Sequence, residues 1–419
     1  MSLSSNDPVP DSSSRRWTIG LSLVGLVYLH NTLPYLTMMP RVNVDEPWLM
    51  ERAYQVWTTG IPSQPMLGLK TAYLLQVGYG YLLAPWLGLF GFDMFQARLF
   101  GVILGLGIIL MTAAIGRRLL DPTSGLAAAL FLALDSNFLG GVRNSRTDIP
   151  AVFFGAAALA AYVAGRRGSR PAWFVISGAC FGLAMLCHGN AFWVGAILLA
   201  WYLLDYGRHA LRVPFGYWLI AGLLLTFGPY ILVVLFRWSD VQLQIANFAG
   251  DRVPGWRVSF VLSQIAREVE RYRDWYFGLI TNAVPNPLLW AFQLATAAGL
   301  AALVFRAKRA GALRVLVLAA GAAFIFAAFI NNKVPVYLPH LLIGFSLAAG
   351  FAVSESARLV SPRSAATVAY VALATYALAG VAYYEKWYSS VRKTELVPFE
   401  VTSTTLRTLV PAGPKYQAR

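Results

Sequence analysis

Asp45 and Glu46 stand side by side shortly after the first long apolar stretch, in a chain where charge is scarce. Further on, "VRNSRTDIP" (142–150) crowds Arg143, Arg146 and Asp148 into one short turn. Late in the chain, "FINNKVPVYLPH" carries Lys333 and Tyr337, and between two apolar runs "LCHGNAFW" presents His188. A positioned carboxylate can take the proton of an attacking hydroxyl. Arginine and lysine hold and neutralise an anion such as a phosphate. Together these residue types fit an anion site with carboxylates beside it, in which Asp148 orients the arginines or a substrate hydroxyl.

Each candidate also has a plainer reading. Asp45 can cap a helix whose first turn holds Pro47, with "WLMERAYQVW" following at the membrane interface. Arg143, Arg146 and Asp148 can anchor two helix ends to each other. Lys333 can snorkel, and His188 can be a hydrogen-bonded turn residue. Lys70, in "GLKTAYLL", raises the same question as Lys333, and Asp135 is a carboxylate inside an apolar run, where such groups are costly. The remaining histidines, His30, His209 and His340, are scattered along the chain, so no metal site can be assembled and no cofactor is expected. The sequence has no phosphate-cradling glycine loop, nucleotide-binding signature or nucleophile elbow, so an activated substrate must arrive by way of the membrane or bind in some other way.

Composition sets the class. Of the 419 residues, 58% are hydrophobic and 13% charged, about half the charge of an ordinary soluble domain. The mean hydropathy is +0.57. Apolar runs lie near 17–37, 72–90, 99–116, 124–141, 149–165, 172–187, 190–206, 214–236, 286–305, 315–331, 335–352 and 365–384. This is the pattern of an all-α polytopic membrane protein. The net charge of +15 resides largely in arginine pairs between runs, which set topology and do not imply nucleic acid. Cys180 and Cys187 share one run and read as a buried, inert pair.

If all twelve runs crossed, the arginines at 117–118, 166–170 and 306–314 would face outward, against the positive-inside rule. Laying the run 72–90 along the outer face repairs every later loop. Its glycines, Pro85 and tyrosines suit an interfacial position. The expectation is about eleven transmembrane helices, with residues 1–16 a disordered cytoplasmic tail, 17–384 the membrane domain and 385–419 a short outer tail. Outer loops span 38–98 and 237–285. The second contains "FVLSQIAREVERYRDWYFGLI", which reads as an amphipathic helix lying on the membrane surface. This topology brings Asp45, Asp148, His188 and Lys333 to one outer face.

The stretch "DEPWLMERAYQVWTTGIP" resembles the first-loop signature of the GT-C class of lipid-linked-sugar glycosyltransferases, in particular family 39. That family holds the bacterial protein O-mannosyltransferases and the lipid A aminoarabinose transferase. "LKTAYLLQVGYGYLLAPWLGLFG", "SRTDIP" and "KVPVYLP" resemble its next three motifs in order, from about residue 15 to 350. The resemblance implies a GT-C bundle that performs inverting transfer of a sugar from a polyprenyl-phosphate donor. The acceptor would be a protein hydroxyl, lipid A or another glycolipid, at the outer face of a bacterial inner membrane. Asp45, Glu46 and Asp148 would be catalytic, and Lys70, Arg143, Arg146, Lys333 and Tyr337 would meet the donor phosphate. His188 and Asp135 are further candidates. Two departures stand out: Thr71 and Ala72 replace the prolines expected after the first lysine, and His188 stands where many members carry lysine. The alternative class is a transporter or flippase of lipid-linked sugars, for which an internal repeat or paired broken helices would be expected; the sequence displays neither.

Overall fold

The computed structural model describes residues 12–38, 40, 45–73, 76–168, 170–248, 258–276, 286–331 and 334–393. Sixteen α-helices form among them, with no strand beyond an isolated Gln64–Leu69 bridge. The first five are α1 (Ser12–Thr32), α2 (Asp45–Thr59), α3 (Val77–Phe90), α4 (Met94–Leu119) and α5 (Pro122–Leu134). Next come α6 (Ser136–Val142), α7 (Asp148–Gly168), α8 (Pro171–Cys187), α9 (Phe192–Tyr206) and α10 (Phe215–Phe236). The chain continues through α11 (Trp238–Phe248), α12 (Val258–Glu270), α13 (Pro287–Phe305), α14 (Ala310–Phe329), α15 (Pro339–Val360) and α16 (Ala365–Lys393).

Seven of these helices are long and apolar enough to cross a membrane: α4, α7, α10, α13, α14, α15 and α16. The bent pair α5 and α6 makes an eighth span if counted together. The other three expected spans fall on α1, α8 and α9, which do not meet that test. Serines and an arginine pair open α1, while α8 and α9 have 17 and 15 residues. At 1.5 Å per residue those two reach only about 25 Å. Run 72–90 yields α3, whose 14 residues span about 21 Å, short of the ~30 Å hydrocarbon core. It packs on α2 in a small cluster of its own, with Leu49 and Ala53 against Tyr79, Leu83 and Leu87.

The core centres on α15, buried along most of its length by α5, α13, α14 and α16. Helix direction sorts the charges. Arg117, Arg166 and Arg358 lie in the last turns of α4, α7 and α15, and Arg314 in the first turns of α14. Arg98, Asp148 and His340 lie at the opposite ends of α4, α7 and α15. The arginines are tied down where they stand: Arg166 and Arg314 to Asp205, and Arg358 to Asp121 and Glu355. Arg117 lies 4.5 Å over the Trp17 ring.

Three expectations change. Helix α1 begins at Ser12, inside the segment read as a disordered tail. Helix α16 runs past residue 384 to Lys393, because "YYEKWYSSVRK" contains no glycine or proline and Tyr388 is seated against Arg143. Helix α12 is amphipathic, but its polar face points inward. Gln264 and Glu268 are buried, while Val258, Leu262 and Val269 are mostly exposed. In hydrocarbon the apolar face is the one that belongs outside.

Helix α10 makes its main contacts with α8. A Cβ at Gly178 or Gly222 would sit 1.8 Å from the Leu219 carbonyl oxygen or 2.0 Å from that of Val175. These small residues let the two backbones touch, the usual adhesive between helices in lipid. Gly222→Leu is expected to loosen α10 from α8 and lower the unfolding temperature in detergent. Fluorescence-detected size exclusion after heating tests this, and an unshifted midpoint would show that the close approach is not needed.

Candidate active site

Arg98, on α4, is fully buried, and its guanidinium organises the site end of the bundle. Its Nε and Nη2 donate to the two carboxylate oxygens of Glu46 at 2.9 and 2.8 Å. Nη1 donates to the carbonyls of Leu36 and Pro40. Glu46 Oε1 also accepts the Ser145 backbone N–H at 2.8 Å. Ser145 Oγ is in turn 2.7 Å from the Tyr79 hydroxyl. One ion pair thus joins the end of α1, the start of α2, the tip of α4 and the turn before α7, and α3 is pinned to that turn. Glu46, expected beside Asp45 as a catalytic partner, is 0% exposed and engaged by Arg98 and Ser145, so the structure places it in the scaffold.

Arg146 follows Ser145 in that turn and bridges two carboxylates. Nη1 donates to Asp45 Oδ2 and Nε to Asp148 Oδ2, the latter at 3.3 Å. Burial lowers the Arg146 pKa, but the carboxylates of Asp148 and Asp45 outweigh it and hold the guanidinium above its ordinary value. The two acids differ in access: the Asp45 side chain is 35% exposed and that of Asp148 only 3%. Helix periodicity cannot reveal this contrast, because each acid opens its own helix.

The second oxygen of Asp148 faces two imidazoles, with His188 Nε2 at 3.6 Å and His340 Nε2 at 3.7 Å. The Asn190 backbone N–H donates to His188 Nδ1 and the Trp193 indole N–H to His340 Nδ1. Each neutral ring therefore carries its proton on Nε2, directed toward Asp148. His340, set aside in the sequence as scattered, is a site residue; the available signal was its position in the first turn of a helix directly after "KVPVYL". Tyr337 packs edge-on against His188, ring centroids 5.5 Å apart. Among the described residues no group of three or more His, Cys, Asp or Glu side chains could hold a metal ion.

The other candidates separate. Arg143 turns away from Arg146 and donates to Pro34 O at 2.6 Å and the Tyr388 hydroxyl at 3.1 Å, fastening α16. Asp135 breaks the run 124–141: it caps α6 by accepting the Phe138 N–H at 2.8 Å, at a 67° bend. Lys70 is exposed, in the segment before α3, with no ion-pair partner among the described residues. Its neighbours are held in place, since Gln244 bonds Thr71 O and the Tyr73 N–H, and Tyr230 bonds Tyr73 O. Lys333 lies outside the described residues.

Arg271 is a site candidate that the reading of 237–285 as a surface helix concealed. It opens a π-helical turn after α12 and is 0% exposed. Its Nε lies 2.9 Å from Glu268 Oε1 but out of line for a hydrogen bond, and no guanidinium nitrogen has a hydrogen-bonded partner. Burial lowers its pKa, and Glu268 opposes that shift. Its guanidinium stands 5.6 Å over the Phe326 ring, whose other neighbour is His340 at 5.3 Å between ring centroids.

The family model for dolichyl-phosphate-mannose-protein mannosyltransferases matches residues 77–232. Comparison with curated protein sequences gave no match. Among solved structures, the chain is similar to the oligosaccharyltransferase AglB from Archaeoglobus fulgidus in complex with an inhibitory peptide and a dolichol-phosphate. Identity is 15% and the TM-score 0.58, over 90% of this chain and 56% of that one. It is also similar to ArnT from Cupriavidus metallidurans bound to undecaprenyl phosphate, at 18% identity and TM-score 0.57, over 85% and 62%. The fold is therefore the all-helical GT-C membrane fold of these transferases, and the chain spans about three fifths of their length.

Replacing Glu46 by Ala should leave Arg98 buried without its counter-charge, at a cost of about 3–5 kcal/mol. Asp45→Asn, in a half-open pair, should cost less than about 1 kcal/mol. Thermal unfolding of both variants in detergent checks the division; equal losses would contradict it.

Proposed function

We propose that the protein transfers a sugar from a polyprenyl-phosphate carrier to an acceptor, with inversion at the anomeric carbon. The observation that carries the reading is the Asp45–Arg146–Asp148 bridge at one end of a fold shared with lipid-linked-sugar transferases. An acceptor oxygen attacks the anomeric carbon, the bond from that carbon to the phosphate oxygen breaks, and the carrier leaves as a phosphate monoester anion. Asp45, the accessible carboxylate, takes the acceptor's proton. Asp148 aims Arg146, and two imidazoles stand 3.6 and 3.7 Å from its other oxygen, beyond hydrogen-bond range. Arg271, together with Lys70, Lys333 and Tyr337, meets the phosphate; the unpartnered guanidinium N–H groups are what an arriving anion would satisfy. Where the acceptor is itself an anion, Asp45 orients it instead of deprotonating it.

An apolar groove of about 460 Å³ runs beside the Lys70 segment, bordered by Tyr81, Leu186, Pro229 and Tyr230. It suits a prenyl chain whose phosphate end points toward the loop. The arginine-rich end of the bundle suits the cytoplasmic side by the positive-inside rule, which supports a site at the outer surface of the membrane, in our reading a bacterial inner membrane. A shared fold with sugar transferases favours this reading over a flippase.

In proteoliposomes fed radiolabelled polyprenyl-phosphate sugar, Asp45→Asn is expected to reduce turnover by ~10²–10⁴-fold with donor binding retained. Turnover within twofold of the wild type would refute the role. Arg271→Ala is expected to weaken donor binding by roughly 10–100-fold, the worth of a charged hydrogen bond, and unchanged donor affinity would remove Arg271 from the site. Mass spectrometry of envelope lipids and proteins from a deletion strain would identify the acceptor.

A further inference from the structure

Between α6 and the start of α7 lies a cavity of about 190 Å³, lined by Asn137, Gly140, Asn144, Arg146 and Asp148. Drug-sized ligands occupy pockets of roughly 300–1,000 Å³, so this one admits a single ring. Two amide atoms in its wall are buried without a hydrogen-bonded partner: the Asn137 side-chain nitrogen, a donor, and the Asn144 side-chain oxygen, an acceptor. Asn144 is oriented by its own nitrogen, which donates to Gly140 O at 2.8 Å. Leaving such atoms unsatisfied is costly to a fold, and the cost is recovered only when something polar enters. One charged atom in the wall is also left open: Asp148 Oδ1 is buried without a hydrogen-bonded partner. Arg146 bridges Asp45 and Asp148, and the second Asp148 oxygen faces two imidazoles. Gly140 completes the wall: a Cβ built there meets nothing within 4 Å, so the missing side chain leaves open space.

We propose that this cavity is the recognition pocket for the transferred sugar, that it takes one polyhydroxylated ring bearing no acidic group, and that Asn137 and Asn144 read its hydroxyls. The assignment rests on the glycosyl-transfer reading. A sugar hydroxyl both donates and accepts, so neighbouring hydroxyls on a ring complement one amide donor and one amide acceptor. A ring bearing a carboxylate would be desolvated here beside Asp148, with Arg146 already held between two carboxylates. Contact with Asp148 and Arg146 sets the ring against the bridge that carries Asp45.

The test uses the full chain in proteoliposomes and binding followed by tryptophan fluorescence. The probes are undecaprenyl phosphate, its mannosyl ester, and the esters of an amino sugar and a uronic acid. The mannosyl and amino-sugar esters should bind more tightly than the bare carrier, and the uronic acid ester should gain nothing over it. Asn137→Leu should cut the gain by about 3–10-fold, the worth of one neutral hydrogen bond, while leaving thermal stability equal or higher because an unsatisfied buried amide is removed. Gly140→Ala and Gly140→Val should erode the gain stepwise by filling the cavity, with affinity for the bare carrier unchanged. The proposal is overturned if mannose adds no affinity, if the uronic acid binds best, or if the variants keep the full gain. Failure of wild-type protein to bind even undecaprenyl phosphate would instead sink the glycosyl-transfer reading, and this proposal with it.

Discussion

The Arg98–Glu46 ion pair is the interaction on which the site end of the bundle depends. Burying both charges is expensive, and the attraction between them repays the cost only when every remaining donor and acceptor is satisfied. Here four of the five guanidinium N–H groups and both carboxylate oxygens are engaged. The guanidinium makes four hydrogen bonds, two to Glu46 and two to backbone carbonyls, and Glu46 takes a further backbone N–H from Ser145. Such a pair adds little net stability, but it admits only one arrangement of the segments it joins. Those segments are the end of α1, the start of α2 and the turn before α7. Asp45 and Arg146 are the immediate neighbours of Glu46 and Ser145, so fixing the latter two fixes the distance between the former.

Much of this was legible in the sequence at the level of which ends meet. Alternating charge placed Asp45, Asp148 and His188 together, and the Asp45–Arg146–Asp148 bridge joins residues that a crossing run at 72–90 would have left on opposite sides. What could not be read was which member of each neighbouring pair faces the cavity. Asp45 and Glu46 are adjacent, and so nearly are Arg143 and Arg146; one of each joins the bridge to Asp148 and the other ties neighbouring segments together. That choice is made by residues distant in the chain, Arg98 for Glu46 and Tyr388 for Arg143. Pattern and spacing within a motif carry no information about either partner.

Helix α12 shows a second limit. A period of 3.6 identifies two faces but not which solvent each one meets. With water outside, the polar face of a peripheral helix turns outward; with lipid outside and a polar site within, it turns inward. Gln264, Glu268 and Arg271 follow the second rule, and their burial converts a stretch that reads as membrane-surface decoration into part of the site wall. His340 was concealed for a related reason, since a histidine in the first turn of the most buried helix looks like core until Trp193 and Asp148 are seen on its two nitrogens.

The buried arginines of this end of the bundle can be ordered by how completely their donors are used. Arg98 has hydrogen bonds from Nε and both terminal nitrogens. Arg143 uses its two terminal nitrogens and leaves Nε unpartnered. Arg271 has no hydrogen bond from any of the three, with only a misaligned carboxylate and an aromatic face nearby. A structural cation is stable because its partners travel with the chain, whereas a cation that awaits a substrate must keep donors vacant and tolerate the desolvation. By that physical criterion Arg98 is tied into the scaffold, and Arg271 has the open donors that the proposed phosphate contact requires. The same criterion separates Glu46 from Asp45 among the carboxylates, one with its oxygens claimed from two sides and no exposure, the other a third open to whatever approaches.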